Sequence, residues 1–229
     1  EEFKNTSIPE QFHKFSITHG KHYKAGLSYH KYMGQPQNIY TLKGFMQIEK
    51  KQFLGLNFDR IVLGNFTTSF GQGVVFESSD NFSPRRTGFG FSKRSEGINA
   101  DMTRSCQYVL NGGALQISNN FVRASLFASL QPRDAIINQD SSFTSLIIMQ
   151  PRLPFGSNND TTKIFHSLIN SVNELTWGGN MRVSPLIGTH VGFTFYESLY
   201  DREHIPQVIN SITGGEDDGE PEFNIDDYD

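Results

Sequence analysis

The sequence predicts an all-β protein, an antiparallel up-and-down meander forming a segment of a transmembrane β-barrel. Three observations predict it. Apolar residues alternate with polar ones: Tyr23, Ala25, Leu27 and Tyr29 stand between His22, Lys24, Gly26, Ser28 and His30, and Val122, Ala124, Leu126, Ala128 and Leu130 stand between Arg123, Ser125, Phe127, Ser129 and Gln131. Successive side chains of a strand point to opposite faces, so each segment has one apolar and one mostly polar face. Hydrophobic residues make up only 36% of the 229 residues, a low share for a water-soluble core. A barrel tolerates it because only alternate residues meet lipid. Finally, no run approaches the ~20 apolar residues that a membrane-spanning helix needs.

The strands follow in order. Residues 11–19 and 21–31 form a hairpin about His19-Gly20, and the turn-rich Met33 to Asn38 leads out of it. From Ile39, Tyr40, Leu42, Gly44, Met46 and Ile48 share one face, with Thr41, Lys43, Gln47 and Glu49 on the other. A tight connection at Gly55 to Asp59 precedes a strand from Arg60 to Ser69, which ends in Phe70-Gly71-Gln72-Gly73. Gly71 and Gly73 are read as a structural bend where the strand leaves the sheet. A phosphate cradle would need a following helix, and Val74-Val75-Phe76 follows with no helix expected.

Residues 77–105 are polar, Gly-rich and basic, too long for a hairpin loop, and are read as an excursion at the barrel mouth or into the lumen. Residues 106–118 and 121–131 are strands joined at Asn119-Asn120, a residue type that tolerates the left-handed backbone of a tight turn. Phe143 to Gln150 is an apolar strand. Ile164, Phe165, Leu168, Ile169 and Val172 have helical spacing and predict one short helix. Residues 175–184 and 189–200 form the last hairpin, for a total of about nine or ten strands. Residues 1–215 are thus read as the barrel segment, and 216–229 as an acidic loop or tail.

Charge is unevenly spread. The net charge is −4, yet residues 216–229 hold eight acids and no base, which leaves 16 acids against 20 bases elsewhere. The body is therefore positive, and the tail is solvated by its own repulsion. Arg85, Arg86, Lys93 and Arg94 are the candidate lumen or mouth charge cluster. With Phe89 and Phe91 between them they resemble a nucleic-acid stacking surface, but a solvated loop explains them more simply. The single Cys106 excludes an internal disulfide framework. The seven histidines form no helical metal pair, and His22 and His30 lie roughly 27 Å apart on one strand. No nucleophile elbow is present and the acidic segment lacks EF-hand spacing. No catalytic residue, metal site or cofactor is expected.

A resemblance adds to these readings. Arg60-Ile61-Val62-Leu63-Gly64-Asn65-Phe66 followed by Phe70-Gly71-Gln72-Gly73-Val74-Val75 resembles a signature strand in the β-barrel part of large helix-hairpin-helix-containing outer-membrane proteins of Bacteroidota-type bacteria. Downstream, Gly88-Phe89-Gly90-Phe91-Ser92-Lys93, Asn111-Gly112-Gly113-Ala114, Phe127-Ala128-Ser129 with Asp134-Ala135, Asn173-Glu174-Leu175, Gly178-Gly179-Asn180-Met181 and Gly192-Phe193-Thr194 fit the same order. The similarity spans residues 40–200. Asn65 stands where the family carries an acid, and Val109-Leu110-Asn111-Gly112 replaces a phenylalanine-arginine-glycine element. The resemblance implies outer-membrane location and barrel architecture. The helix-hairpin-helix part is absent here, so DNA binding does not carry over.

The expected function is that of an integral barrel of the bacterial outer membrane: a porin, transporter or secretion-associated barrel, not an enzyme. The expected partners are membrane lipid and other outer-membrane or periplasmic proteins, with nucleic acid not expected for this segment. The chain opens Glu1-Glu2-Phe3-Lys4 without an apolar leader, and a piece of a longer protein is expected. The rival readings are a soluble extracellular β-sandwich binding glycan or protein, and an outer-membrane barrel hydrolase. Barrel and sandwich differ in one observable: whether Val122, Leu126 and Leu130 are exposed or buried. On the barrel reading, arginine is tolerated better at Ser125 than at Leu126.

Overall fold

Alternation fixes which residues share a face; pairing then fixes the sheet. A computed structural model describes residues 10–32, 40–53, 56–70, 97–104, 109–147, 168–186 and 188–206. The strands are β1 (Gln11–His19), β2 (Tyr23–Lys31), β3 (Thr41–Phe53), β4 (Leu56–Ser69), β5 (Gly97–Ala100), β6 (Leu110–Ser118), β7 (Val122–Arg133), β8 (Ala135–Ile137), β9 (Phe143–Leu146), β10 (Val172–Leu186) and β11 (Thr189–Tyr200). The main sheet is an antiparallel meander in the order β1-β2-β3-β4-β6-β7-β10-β11, with β5 added to β4. Its outermost strands are β1 and β11, which do not pair with each other among the described residues.

The sheet is inverted relative to a water-soluble one. Leu126 and Leu130 are 61% and 64% exposed, and Val122 is exposed too. The apolar row continues across the neighbouring strands through Leu27, Leu42, Met46, Leu63, Leu175, Trp177, Met181, Val191, Phe193 and Phe195, all exposed. On the opposite face Ser28, Lys43, Gln47, Gln116, Ser125, Ser129, Gln131, Glu174 and Thr176 are buried. The registers make this coherent: Leu115 faces Leu126, and Leu130 faces Leu175, so outward residues of one strand meet outward residues of the next. A one-residue slip anywhere would reverse both faces.

Tight turns gather at one end, between β1 and β2, β3 and β4, β6 and β7, and β10 and β11. The long connections, from β2 to β3, β4 to β6 and β7 to β10, gather at the other. At the long-connection end Tyr29 and Tyr40 rings stand 5.3 Å apart; near the turn end Tyr23 lies beneath the Lys51 ammonium.

Strand β4 does not run straight. Ile98 is the register partner of Thr68, yet its carbonyl also accepts from the Arg60 guanidinium. Residues 60 and 68 of a straight strand are roughly 26 Å apart, far beyond an arginine's reach. The strand therefore bends between them. Gly64 is the residue that allows it, with φ +101° and a hypothetical Cβ only 2.2 Å from the Gly44 carbonyl oxygen. Beyond the bend, Phe66 to Ser69 pairs with β5, and the two form a ribbon folded onto the polar face. Phe66, Phe70 and Ile98 of this ribbon bury against Val62, Leu110, Ala114 and Phe127.

A second, small sheet pairs β8 with β9. Ala135 and Phe143 pack with Val172 at the start of β10, and Phe143 also meets the ring of Tyr200. The segment after β11 is tied to it: Phe143 N donates to Glu203 O, and Ile205 N to Phe143 O. This hairpin caps the long-connection end beside β10 and β11.

Several expectations need correction. Val172 is strand rather than part of a short helix, because its side chain closes the small core with Ala135 and Phe143; Ile164 and Phe165 lie outside the described residues. The strand expected from Phe143 is β9, Phe143–Leu146, which pairs with β8 and not with the main sheet; residues 148–150 lie outside the described residues. The β3–β4 turn is shorter than the Gly55 to Asp59 connection expected, since Asn57 already pairs with Gln52. The span 77–105 contains a strand, β5, in its last part. The predicted hairpins hold: β6 pairs with β7 through Gln116–Ser125 and Ser118–Arg123, and β10 with β11 from Glu174–Tyr200 onward.

Candidate functional site

The polar face is the part of the molecule with chemistry, and strand alternation aims its residues. On β3, Lys43, Gln47 and Glu49 project together; on β4, Arg60; on β6, Gln116; on β7, Arg123 and Gln131; on β10, Glu174 and Thr176. An unpaired charge there would be costly, and several of the cations find acids. Lys24 and Arg60 meet Glu49 at 3.1 and 3.5 Å. Arg123 lies 3.8 Å from Asp59, whose carboxylate also accepts from Ser118 Oγ at 2.8 Å and Gln116 Nε2 at 3.4 Å. Arg133 lies 2.5 Å from Glu174, which also accepts from the Tyr200 hydroxyl at 3.2 Å.

The most deeply buried pair is Lys43 with Asp101, 2.7 Å apart. Their side chains are 5% and 6% exposed. Lys43 Nζ also donates to Thr103 O at 2.8 Å, and Thr103 Oγ1 donates to Asp101 at 2.8 Å. The chain from Asp101 to Arg104 continues along the wall: Tyr32 donates to Arg104 O, and Arg104 pairs with Glu10 at 3.2 Å. Glu10 in turn sits 3.1 Å from His30 Nε2, while the other ring nitrogen of this buried histidine has no partner among the described residues.

Outside the strands, electrostatics set the cap. Asp201 accepts from the backbone and side chain of Asn173, which holds its carboxyl below the ordinary carboxylate value. Bonds from Ser142 do the same for Asp140, whereas burial pushes Asp134 up.

Among the described residues no group of three or more His, Cys, Asp or Glu could hold a metal ion. Among the described residues no serine is hydrogen-bonded to a histidine. On the outer face an apolar groove of about 530 Å³ lies among Phe15, Ile17, Leu27, Met46 and Leu63, with Gly44 and Gly64 between them. It carries no polar group that could do chemistry.

Arg85, Arg86, Lys93, Arg94, Gly71 and Gly73 lie outside the described residues, as does the acidic segment 216–229. Among the described residues a bend falls at Gly64. Lys43, Asp101, Arg133 and Glu174 were not singled out as a site from the sequence. The signal was available in part, since a lone Lys or Glu on the polar face of a strand needs a counter-charge on the next strand. The partner's identity depends on register and on the inward fold of β5.

Comparison with known proteins adds no relative: no family model, no curated protein and no solved structure matches this chain.

One consequence of the ion pairing is measurable. Replacing Glu174 with alanine leaves Arg133, mostly out of water, without its counter-charge and removes the acceptor of Tyr200. The expected cost is about 1–3 kcal/mol, read as a lowered denaturant midpoint. An unchanged midpoint would mean that solvent replaces both interactions.

Proposed function

We propose that this chain is part of an outer-membrane β-barrel acting as a porin, transporter or secretion-associated barrel, with its polar face lining the lumen. The observation that carries the reading is the inverted sheet: exposed Leu126, Leu130, Met46, Leu63 and Phe193 over buried Ser125, Ser129, Gln116, Glu174 and Thr176. A contiguous apolar face of this extent is unfavourable in water, where exposed patches rarely exceed a few hundred Å². Hydrocarbon satisfies it at no such cost, and the strand ladders satisfy the backbone polar groups that lipid cannot.

Two further features support the reading. Short turns at one end and long connections at the other match the asymmetry of outer-membrane barrels, which would put the turns in the periplasm. The sequence from Gly64 to Gly73 also resembles the outer-membrane family described above. No described helix is long and apolar enough to cross a membrane, which says nothing of strands. A sandwich would require a second sheet over Leu126 and Leu130, and among the described residues none lies there.

The test is flotation of the full chain with liposomes, followed by planar-bilayer recording. Co-flotation that survives urea wash is expected; a monomer that stays soluble without detergent would overturn the reading. If the protein conducts, a mild anion preference is expected that weakens with salt. Neutralising Arg85, Arg86, Lys93 and Arg94 together should reduce it. Cation preference in the parent protein would remove that cluster from any role in selectivity.

A further inference from the structure

We infer that the ribbon made by residues 66–70, at the end of β4 and just beyond it, and residues 97–104 is a fixed constriction of the lumen, seated on an apolar foot and latched at its far end by the Lys43–Asp101 pair. The inference rests on the barrel reading above and deepens it.

The geometry comes from what residues 97–104 touch. Ile98 N donates to Gln116 Oε1 of β6 at 3.3 Å, and Ile98 O accepts from Arg60 of β4. Asp101 N donates to Asn65 O, and the Asp101 carboxylate pairs with Lys43 of β3. Arg104 O accepts from Tyr32, just beyond β2, and the Arg104 side chain reaches Glu10, just before β1. Eight consecutive residues thus traverse the polar face from β6 to the start of β1. A loop lying at a barrel rim has no reason to make polar bonds to five successive parts of the inner wall.

Burial gives the ribbon permanence. Phe66 and Ile98 are fully buried and Phe70 almost so, against wall residues Val62, Ala114 and Phe127. An apolar foot on a polar wall requires wall positions without polar side chains, and Val62, Ala114 and Phe127 interrupt the polar pattern of β4, β6 and β7 at those places. Together with Leu110, these departures from alternating chemistry lie against the ribbon on a face otherwise rich in Ser, Gln, Lys and Glu. At the opposite end the latch is ionic. Asp101 and Lys43 are both desolvated, so the pair is worth keeping only where geometry is fixed, since breaking one side strands the other charge.

The test uses the full chain with Cys106 replaced by serine, and it reads accessibility and conductance separately. A thiol placed by Ile98→Cys is expected to resist a water-soluble maleimide in the folded protein. Adding the double change Lys43→Met with Asp101→Asn, which removes both charges at once, should speed labelling roughly tenfold by raising the population of the released ribbon. In bilayers, Ile98→Asp should drive the foot off the wall and raise conductance several-fold, with a smaller rise for the double variant. The double variant also serves if Ile98→Asp fails to fold. If the thiol of the Ile98→Cys variant reacts as fast in the folded protein as in denatured protein, the ribbon's seating is overturned. A chain that floats with liposomes yet conducts identically in parent and variants would overturn the constriction while leaving the barrel reading intact. A chain that does not float at all would remove the barrel reading, and the constriction with it.

Discussion

Replacing Gly64 with alanine is expected to destabilise the protein by about 2–5 kcal/mol. Two costs add. The residue sits at φ +101°, where an L-amino acid is strained. Its new Cβ would fall 2.2 Å from Gly44 O and 3.0 Å from Phe45 Cα, and both are backbone of the neighbouring strand. Backbone in a ladder cannot swing aside as a flexible side chain can. Relaxing the contact means separating β3 from β4 or straightening β4. A straight β4 loses the ribbon, and with it the burial of Phe66, Phe70 and Ile98. Gly192→Ala is the matched control: its Cβ would meet nothing closer than Met181 O at 3.9 Å, and the change is expected to be neutral or slightly stabilising. Denaturant midpoints of the two variants check this. Equal midpoints would mean that the bend at Gly64 is not needed.

Replacing Leu126 with arginine is expected to block membrane assembly, with a cost of about 2–4 kcal/mol for a cation near the bilayer midplane. Leu126 lies mid-strand on β7 and is 61% exposed, flanked by Gly179 on β10 and Leu115 on β6. On a water-soluble protein, an arginine at so exposed a site would change stability by no more than about 0.5 kcal/mol and would improve solubility. The two solvents therefore give opposite outcomes for one substitution. Leu126→Phe is the companion variant and should assemble normally. Heat- and urea-resistant liposome association is the readout, and a Leu126→Arg protein that inserts like the parent would defeat the membrane reading. The expectation that Ser125 accepts arginine more readily does not survive. Ser125 is only 2% exposed, so the polar face at that point is filled, and a guanidinium there meets packed neighbours rather than open water.

That reversal marks where the sequence stops being informative. Alternation told which side Ser125 faces, because period two is a property of any extended chain. It could not tell that the side is crowded, because crowding comes from segments distant in sequence folding onto it. The Lys43–Asp101 pair shows the same limit: 58 residues separate the partners, and nothing local in either strand anticipates the other. The helix expected around Ile164 to Val172 illustrates a different one. Leu168 is helical, but the spacing of three and four does not carry on to Val172, which is decided instead by the core it completes with Ala135 and Phe143.

The sequence by itself determined the all-β class, the hairpins about Asn119-Asn120 and between residues 175–184 and 189–200, and the assignment of Leu126 and Leu130 to one face and Ser125 and Ser129 to the other. These follow from strand periodicity and turn chemistry, which act between near neighbours. Tertiary structure alone decided that the apolar face lies exposed and the polar face buried, that β4 bends at Gly64, and that residues 97–104 cross the polar face to meet Gln116, Lys43 and Tyr32. Alternation is symmetric between the two faces. Only the curvature of the whole sheet, and the segments that come to lie within it, distinguish inside from outside.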